Sequence, residues 1–206
     1  MSGYIKNPFA QEWKTRIKWV NKMSQKHKRT ITENLTETEI NNTLSTVKNM
    51  LESLEPKQQH IMAEWIDVWC KYIGFEKRFQ PQRLRYYKRG EIVLAHFGYN
   101  VGSELGGIHF AVIVENNNNN SNNTVTVVPL SSLEEGKSKD DLHKSEIYLG
   151  AVLPGDKISY AMPLQMRNIS KLRVIKPKAK GEKTFKISAE QLSEIDNKIK
   201  ELFTKN

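Results

Sequence analysis

The first eighty residues carry apolar positions at the spacing of an α-helix. A helix is predicted to begin after Thr36, because Thr36 and Glu39 have the arrangement of a capping box. Its apolar positions recur every three or four residues, as in a face that packs against another helix: Ile40, Leu44, Val47, Leu51 and Leu54. Pro56 predicts the start of a further helix and Gly74 its end. An earlier stripe at helical spacing comprises Phe9, Trp13, Ile17 and Val20.

After residue 80 the pattern changes to short runs that are rich in Val and Ile and separated by turn residues. Such runs indicate β-strands, which are predicted at 91–96, 108–114, 124–130, 146–149 and 171–175. The asparagine-rich tract at 116–123 is too polar to pack in a core, so we expect it at the tip of a hairpin. A last helix is predicted after Ser188, which forms a capping box with Gln191 and precedes the apolar positions Leu192, Ile195, Ile199 and Leu202.

These elements predict an α+β fold in two domains. Residues 1–80 would form an α-helical N-terminal region. Residues 81–206 would form a small antiparallel β-barrel or sandwich closed by a C-terminal helix.

Charge and composition narrow the class of protein. Lys and Arg outnumber Asp and Glu by 32 to 23, and the net charge of +9 makes a polyanionic partner worth considering. Between Arg83 and Arg89 four cations surround two tyrosines, a mixture suited to phosphates and bases, although an exposed linker is the simpler interpretation. No apolar run approaches the roughly 20 residues that cross a bilayer. The single Cys70 cannot form an internal disulfide. We therefore expect a cytoplasmic protein that does not enter a membrane.

Four segments of the second half carry motifs. They are Lys88-Arg89-Gly90-Glu91-Ile92-Val93, the stretch GSELGGIHFAVIV from Gly102 to Val114, TVTVVPLSS from Thr124 to Ser132, and LQMRNISKL from Leu164 to Leu172. In this order and at this spacing they resemble the MazF/PemK family of toxins from bacterial toxin–antitoxin modules. The resemblance covers roughly residues 86 to 205.

The resemblance implies both a fold and an activity. The fold would be a small SH3-like or CcdB-like barrel that forms homodimers. The activity would be metal-independent endoribonuclease action on single-stranded RNA such as mRNA, held off by a cognate antitoxin protein. Such cleavage uses the ribose 2′-OH as nucleophile and leaves a 2′,3′-cyclic phosphate, so the protein must supply proton transfer and charge stabilisation at phosphorus. No cofactor is expected, and no set of His, Cys, Asp and Glu has metal-ligand spacing.

His109 is the sharpest departure from the family pattern, which has Arg-Pro where this chain has His109-Phe110. Histidine titrates near neutral pH, so it can take or give a proton and can also donate a hydrogen bond. Two interpretations stay open. His109 either takes over an acid–base role, or it is a neutral histidine bonded to a loop carbonyl in a protein that has lost catalysis.

The resemblance assigns further residues to the site. Ser131 falls on the hydroxyl position of the family, with Ser132 as an alternative that spacing does not exclude. Arg167 would bind phosphate, and Gln165 would read a base edge. The candidate catalytic residues are then His109, Ser131 and Arg167, and the candidate RNA-binding residues are Gly102, Ser103, Gly107, Ser132, Gln165 and Arg89. His96 could line the same face, although a core or strand-end role is the simpler one.

A second function fits the same motifs. Because the Arg and Pro of the family are missing, the barrel could bind RNA, or a topoisomerase in the manner of CcdB-like relatives, without cleavage. Residues 1–80 lie outside the resemblance, and their role stays open between a basic arm that grips RNA, an antitoxin-like or dimerising segment, and simple packing mass.

Overall fold

The computed structural model describes Lys18 and residues 34–175 and 184–205. Apart from Lys18, the helix predicted from Phe9 to Val20 lies outside these residues. The chain forms two compact units, Met1–Leu54 and Glu55–Asn206. The division into functional domains at residues 80 and 81 stays a prediction.

Helix α1, Glu37–Glu52, is the main described element of the first unit. The predicted capping box is confirmed, because the Thr36 hydroxyl accepts from the Glu39 N–H and the Glu39 carboxylate accepts from the Thr36 N–H. None of its residues is buried, and Ile40 and Leu44 are exposed. The partner helix predicted for this apolar face stays a prediction.

Helix α2, Pro56–Glu76, opens the second unit and begins at the predicted proline. The predicted end at Gly74 is wrong by two residues. Gly74 lies inside the helix, and a Cβ there would meet no heavy atom within 4 Å. The glycine therefore weakens the last turn without ending the helix.

Among the described residues, seven antiparallel strands follow α2. They are β1 Ile92–Gly98, β2 Gly107–Ile113, β3 Thr124–Ser132, β4 Ile147–Ala151, β5 Ile158–Ala161, β6 Arg167–Ser170 and β7 Val174–Ile175. The order is β4-β5-β3-β2-β1-β7, with β6 also paired to β3. The first four predicted strands are confirmed within a few residues at their ends, but the fifth is only β7, because Lys171–Arg173 form a 3-10 turn. Strands β5 and β6 have four residues each, too few for a hydrophobic period to reveal them.

The pairing of β3 is interrupted at Pro129. Strand β6 pairs with the start of β3 as far as Val127↔Arg167, and β5 pairs with its end from Leu130↔Ala161. From Val127 to Leu130, β3 advances by three residues, whereas the paired segment from Ala161 to Arg167 advances by six. Pro129 has no N–H to offer a ladder, although its carbonyl still accepts from the Met162 N–H at 2.9 Å. The surplus residues bulge out as the 3-10 turn Pro163–Gln165.

Each face of the sheet carries its own apolar core. Helix α3, Ala189–Phe203, begins at the predicted Ser188 capping box. It covers one face through the buried Ile195. The other face buries Phe97, Ala111 and Val127 together with Tyr87. Tyr87 is only 2% exposed, so the interpretation of 83–89 as a solvated linker is wrong at this residue.

The asparagine tract joins β2 to β3, as predicted for a hairpin tip. The expectation that it cannot pack is wrong at Asn118, which is 1% exposed. Its side-chain amide donates to the Glu115 carboxylate at 3.0 Å and to the Thr124 carbonyl at 3.2 Å. The side-chain N–H groups of Asn118 thus have partners, whereas its Oδ1 is buried without one among the described residues.

The predicted fold class is confirmed: helices precede an antiparallel β architecture that ends in a C-terminal helix. The sheet runs as an open path from β4 to β7. Among the helices within the described ranges, none is long and apolar enough to cross a bilayer.

Gly98 provides a test of the packing between α2 and β1. Its φ is +93°, and a Cβ there would lie 2.8 Å from the indole of Trp65. We expect Gly98→Ala to lower the free energy of unfolding by about 1–3 kcal/mol. The matched control is Gly74→Ala, which fits inside α2 and should raise it by about 0.5–1 kcal/mol. Urea unfolding measures the change in the free energy of unfolding for both variants. An unchanged midpoint for Gly98→Ala would contradict the close packing of Trp65 on Gly98.

Candidate functional site

The His109 side chain lies where β2 and β3 separate. The two strands pair from Ile113↔Val127 to Ala111↔Pro129, after which β3 pairs with β5. At this point Nδ1 of His109 lies 3.3 Å from the Leu130 carbonyl oxygen. A carbonyl only accepts, so the contact requires the proton on Nδ1. In the neutral ring Nε2 then carries the free lone pair, and bonding to a carbonyl is compatible with an acid–base role.

Phe97, in β1, is the residue that brings His109 and Arg167 together. Its side chain has no exposed area. The His109 ring meets it edge to face, with centroids 6.2 Å apart, and the Arg167 guanidinium carbon lies 5.5 Å from the centre of the Phe97 ring. The predicted strand at 91–96 ends one residue before Phe97, so the sequence pattern does not single out this residue, which the structure places inside β1.

Gln165 connects Arg167 to the loop between β1 and β2. Its Oε1 accepts from the Arg167 guanidinium at 3.2 Å and from the Leu105 N–H at 3.1 Å, and its Nε2 donates to the Ser103 carbonyl at 3.3 Å. Gln165 can reach both because it lies on the turn that bulges from the ladder beside Pro129. In this conformation its amide positions protein groups; reading of a base edge by Gln165 stays a prediction.

The loop at 99–106 shapes the approach to His109. The Asn100 amide donates to the carbonyls of Phe97 at 3.1 Å and Leu105 at 2.5 Å, which ties both ends of the loop together. Gly107 follows with a φ of +80°, and a Cβ there would lie 3.9 Å from Nε2 of His109. A side chain at 107 would therefore lie in contact with that nitrogen. Gly102 and Ser103 are exposed in the loop.

The pleat of β3 separates the two candidate serines. Val125 and Val127 pack in the same core cluster as Ala111, whereas Val128 and Leu130 pack in the other. Since side chains alternate along a strand, Ser131 shares its face with Val127, and His109 shares its face with Ala111. Ser131 is thus placed on the face of His109 and Ser132 on the opposite one.

The structure does not place Arg89 beside His109. Its guanidinium pairs with Asp196 of α3. The neighbouring Gly90 N–H donates to the Ile113 carbonyl at 2.8 Å, at the end of β2 away from His109. RNA binding by Arg89 stays a prediction.

His96 lies at the contact with α2. The Tyr72 hydroxyl is 2.5 Å from its Nδ1, and the Trp65 ring centroid is 6.4 Å from its own. Burial, and secondarily the positive charge of Arg173, lowers the pKa of His96 below the ordinary histidine value. His96 is therefore neutral at pH 7. Its neighbours fit the strand-end role rather than a place beside His109.

Two arginine side chains lie close to Phe97, the residue that His109 packs against. The Arg173 guanidinium donates to the Phe97 carbonyl at 3.4 Å and lies 5.3 Å from the centre of the Trp65 ring. Together with Arg167, it places two permanent positive charges around Phe97. In the part of the chain that the structure describes, no group of three His, Cys, Asp or Glu residues could hold a metal ion. The arrangement suits an anionic ligand and proton transfer at Nε2.

Comparison with known proteins identifies one family. The model described as "PemK-like, MazF-like toxin of type II toxin-antitoxin system" matches residues 88–203, more than half of the chain. No curated protein matches the sequence.

Several solved structures resemble part of this chain. Similar ones include MazF (Form-I) from Deinococcus radiodurans, with 19% identity over 57% of this chain and 97% of that chain and a TM-score of 0.42. An endoribonuclease in complex with its cognate antitoxin from a mycobacterial species has 15% identity over 55% and 91%, with a TM-score of 0.39. The Mycobacterium tuberculosis toxin MazF-mt6 has 15% identity over 55% and 95%, with a TM-score of 0.38.

The amide of Gln165 can be tested without any assumption about activity. We expect Gln165→Leu to make the Leu105 amide proton exchange about fivefold faster, since one hydrogen bond is worth about 1 kcal/mol net. Gln165→Glu keeps the oxygen acceptor for Leu105 and should retain the protection. Hydrogen exchange followed by NMR measures both variants. Equal protection of Leu105 in the wild type and the Leu variant would contradict the contact.

Proposed function

The chain belongs to the family of PemK-like, MazF-like toxins of type II toxin–antitoxin systems, and on this premise we propose that it is a metal-independent endoribonuclease that cleaves single-stranded RNA. The observation that carries the proposal is the position of His109, which has its Nδ1 directed to a carbonyl and Gly107 next to its Nε2. Arg167 supports it, since both residues flank the ring of Phe97.

Each group has a distinct task in the proposed reaction. Nε2 of His109 takes the proton from the ribose 2′-OH as that oxygen attacks the adjacent phosphorus. The bond from phosphorus to the 5′ oxygen breaks, and that oxygen takes a proton from water, which leaves a 2′,3′-cyclic phosphate and a 5′-OH. The hydroxide that remains takes the proton from Nε2 of His109, so water and the neutral imidazole are regenerated. Arg167 stabilises the charge on the phosphorane, and the Ser131 hydroxyl donates to a phosphate oxygen. None of these steps calls for a metal.

The partners in the proposal follow from the family. A toxin of a type II module is restrained by a protein antitoxin, so we propose a cognate antitoxin as partner, a homodimer as the assembly and mRNA in the cytoplasm as the target. Residues 81–206 would be the toxin domain and residues 1–80 an added N-terminal region, since the family match begins at residue 88.

Replacement of His109 tests the proton-transfer role. Purified protein should cleave single-stranded RNA in EDTA, and His109→Ala should lower the rate by at least about a hundredfold. His109→Gln retains an amide that can donate to the Leu130 carbonyl but cannot transfer a proton, so it should lose as much activity. Cleavage rates and mass spectrometry of the cyclic-phosphate ends provide the readout.

The matched control is His143→Ala, because His143 is exposed and its ring bonds only locally, with Ser145 at 2.7 Å. This variant should cleave at the wild-type rate. Wild-type cleavage by His109→Gln would reject the proton-transfer role. Tight RNA binding without any cleavage by the wild type would favour the non-cutting, RNA-binding alternative.

The two serines form a second matched pair. Ser131→Ala should lower the cleavage rate by about a hundredfold, as expected for the loss of a donor to developing charge. Ser132→Ala, on the opposite face of β3, should stay within about twofold of wild type. Single-turnover cleavage rates of the two variants distinguish the serines. If Ser132→Ala lost the activity and Ser131→Ala kept it, Ser132 would be the site hydroxyl.

A further inference from the structure

A groove of about 290 Å³ lies between the C-terminal end of α2 and the segments that precede β1 and β7. The residues that line it include Phe75, Arg78, Phe79 and Arg83. The guanidinium carbon of Arg78 lies 5.4 Å from the centre of the Phe75 ring. None of the described residues that line the groove is acidic. The groove therefore combines positive charge with aromatic rings, the mixture to which single-stranded nucleic acids bind.

Both arginines of the groove are available to a ligand. Arg78 and Arg83 are exposed, and neither forms an ion pair with a carboxylate among the described residues. Arg85 and Arg89, which follow in the chain, are by contrast paired with acidic side chains. A guanidinium is always charged, and its N–H groups match the oxygens of a phosphate. The two groove arginines can therefore bind phosphate without breaking an ion pair.

A second depression, of about 420 Å³, adjoins the groove. Its walls are the ring of Tyr86, which is 43% exposed, and three residues of the asparagine tract, Asn117, Asn119 and Asn120. Leu84 lines the groove only two residues before Tyr86, a separation of at most about 7 Å. The ammonium of Lys171, which also lines the groove, donates to the Asn119 carbonyl at 2.8 Å. We call the groove and this depression together the basic surface.

The basic surface lies at the end of β3 away from His109. The Lys171 N–H donates to the Asn123 carbonyl immediately before β3 begins at Thr124, whereas the His109 ring bonds at Leu130. Six residues of extended strand span about 20 Å. An RNA bound at His109 would therefore reach the basic surface only if it were several nucleotides long. Such a reach is ordinary, because single-strand sites on OB-fold barrels cover about 4–16 nucleotides.

We propose that the basic surface is an accessory binding site for single-stranded RNA, separate from the place of cleavage at His109. Arg78 and Arg83 bind phosphates of the RNA backbone, and the exposed ring of Tyr86 stacks on a base. The exposed amides of Asn117 and Asn119 can both donate to and accept from base edges. The choice of RNA as the ligand rests on the proposed nuclease function.

The accessory site also gives the end of α2 a role. The family match begins at residue 88, so Arg78, Arg83 and Tyr86 all precede the family-like segment. A second contact on the same strand makes the binding of long RNA partly intramolecular, which raises its affinity without any change at the first site. The added residues would thus favour long RNA over short fragments.

Replacement of the two arginines tests the phosphate contacts in the full-length protein. The probe is a fluorescein-labelled 2′-O-methyl RNA of about 16 nucleotides, which cannot be cleaved because its 2′ oxygens are blocked. Arg78→Ala and Arg83→Ala should each weaken binding by about fivefold or more. Each should also reduce the slope of log Kd against log salt by about 0.7, as expected for one lost phosphate contact. Arg83→Lys keeps the charge and should keep the slope. Fluorescence anisotropy measures each Kd.

The matched control is Lys57→Ala, which removes one positive charge at the other end of α2, about 30 Å along the helix from Phe75. Lys57 is exposed and lines neither part of the basic surface. This variant should bind within about twofold of wild type. A loss in Lys57→Ala equal to that in the arginine variants would show that net charge alone drives binding, and it would overturn the accessory site.

Replacement of Tyr86 tests base stacking. Tyr86→Ala should weaken binding of the same RNA by about fivefold or more, in the range for loss of one base stack. Tyr86→Phe keeps the aromatic ring and should bind within about twofold of wild type. Tyr148→Ala is the matched control, because Tyr148 is 40% exposed on β4 and lines neither part of the basic surface. It should also bind within about twofold of wild type.

Cleavage of RNAs of two lengths separates the accessory site from the nuclease. The wild type should have a higher kcat/KM on cleavable RNA of about 16 nucleotides than of about 4 nucleotides, and Arg83→Ala should reduce this ratio by about fivefold or more. An unchanged ratio together with His109-dependent cleavage would reject the accessory site alone. Arg83-dependent binding of the blocked RNA without cleavage of ordinary RNA would reject the nuclease alone.

Two further outcomes would overturn the accessory site. One is wild-type affinity and salt slope in Arg78→Ala, Arg83→Ala and Tyr86→Ala, with circular dichroism confirming that each variant is folded. If one variant does not fold, the other two and Arg83→Lys decide. The other is displacement of the labelled RNA by polyglutamate as effectively as by unlabelled RNA, because the surface would then fit an acidic protein segment equally well.

Discussion

The interruption of the β3 ladder at Pro129 is the constraint on which the candidate site depends. Proline offers no N–H to β5 and β6, and the surplus residues of the partner chain leave the sheet as the turn that carries Gln165. One residue further on, β3 has parted from β2, and the imidazole of His109 bonds to the Leu130 carbonyl. Both effects arise at one break in the backbone pairing, so the break brings together side chains from three separate segments.

Phe97 connects His109 to the other residues of the candidate site. A fully buried ring is held by its neighbours on all sides, so it is a rigid support for the groups that touch its edge and face. The imidazole of His109 and the guanidinium of Arg167 both rest on it, and its own carbonyl accepts from Asn100 and Arg173. The loop before β2 and the turn before β6 are thus positioned relative to the same residue. A site built in this way is organised before any ligand arrives, which is what charge stabilisation requires.

Helix α2 adds to this arrangement from outside the family-like segment. The edge of Trp65 packs so closely on Gly98 that no side chain would fit there, and the Tyr72 hydroxyl meets His96 on β1. The pKa of Tyr72 is raised, chiefly by burial and against the opposing effect of Arg173, so its hydroxyl keeps the proton with which it can donate. Aromatic and neutral polar groups thus join α2 to β1, and His96 and Ile108 line a cavity between them. This contact lies on the face of β1 opposite to His109, because His96 and Ile108 alternate with Ala95 and His109 along the two paired strands.

The sequence by itself determined the local elements and the family. Local signals depend on residues close together in the chain. The capping boxes at Thr36 and Ser188, the start of α2 at Pro56 and the first four runs of Val and Ile led to the helices and strands expected, whereas the run at 171–175 is a strand only at Val174–Ile175. The four motifs together identified the resemblance, and the one from Gly102 to Val114 marked His109 as the departure from it. Where local pattern failed at Tyr87 and Asn118, packing or hydrogen bonds decided the outcome.

Only the tertiary structure decided which of the candidate site residues lie on the same face or in contact. Ser131 and Ser132 are equivalent in spacing, and the pleat of β3 relative to two cores was needed to place Ser131 on the face of His109. Arg89 lies in a motif of the family, yet its guanidinium pairs with α3, whereas Phe97 lies in no motif and contacts both His109 and Arg167. The physical reason is that a local pattern reflects backbone preference and burial, which act over a few residues. The neighbours of a side chain are set by strand register, and in this protein the register changes at a single proline.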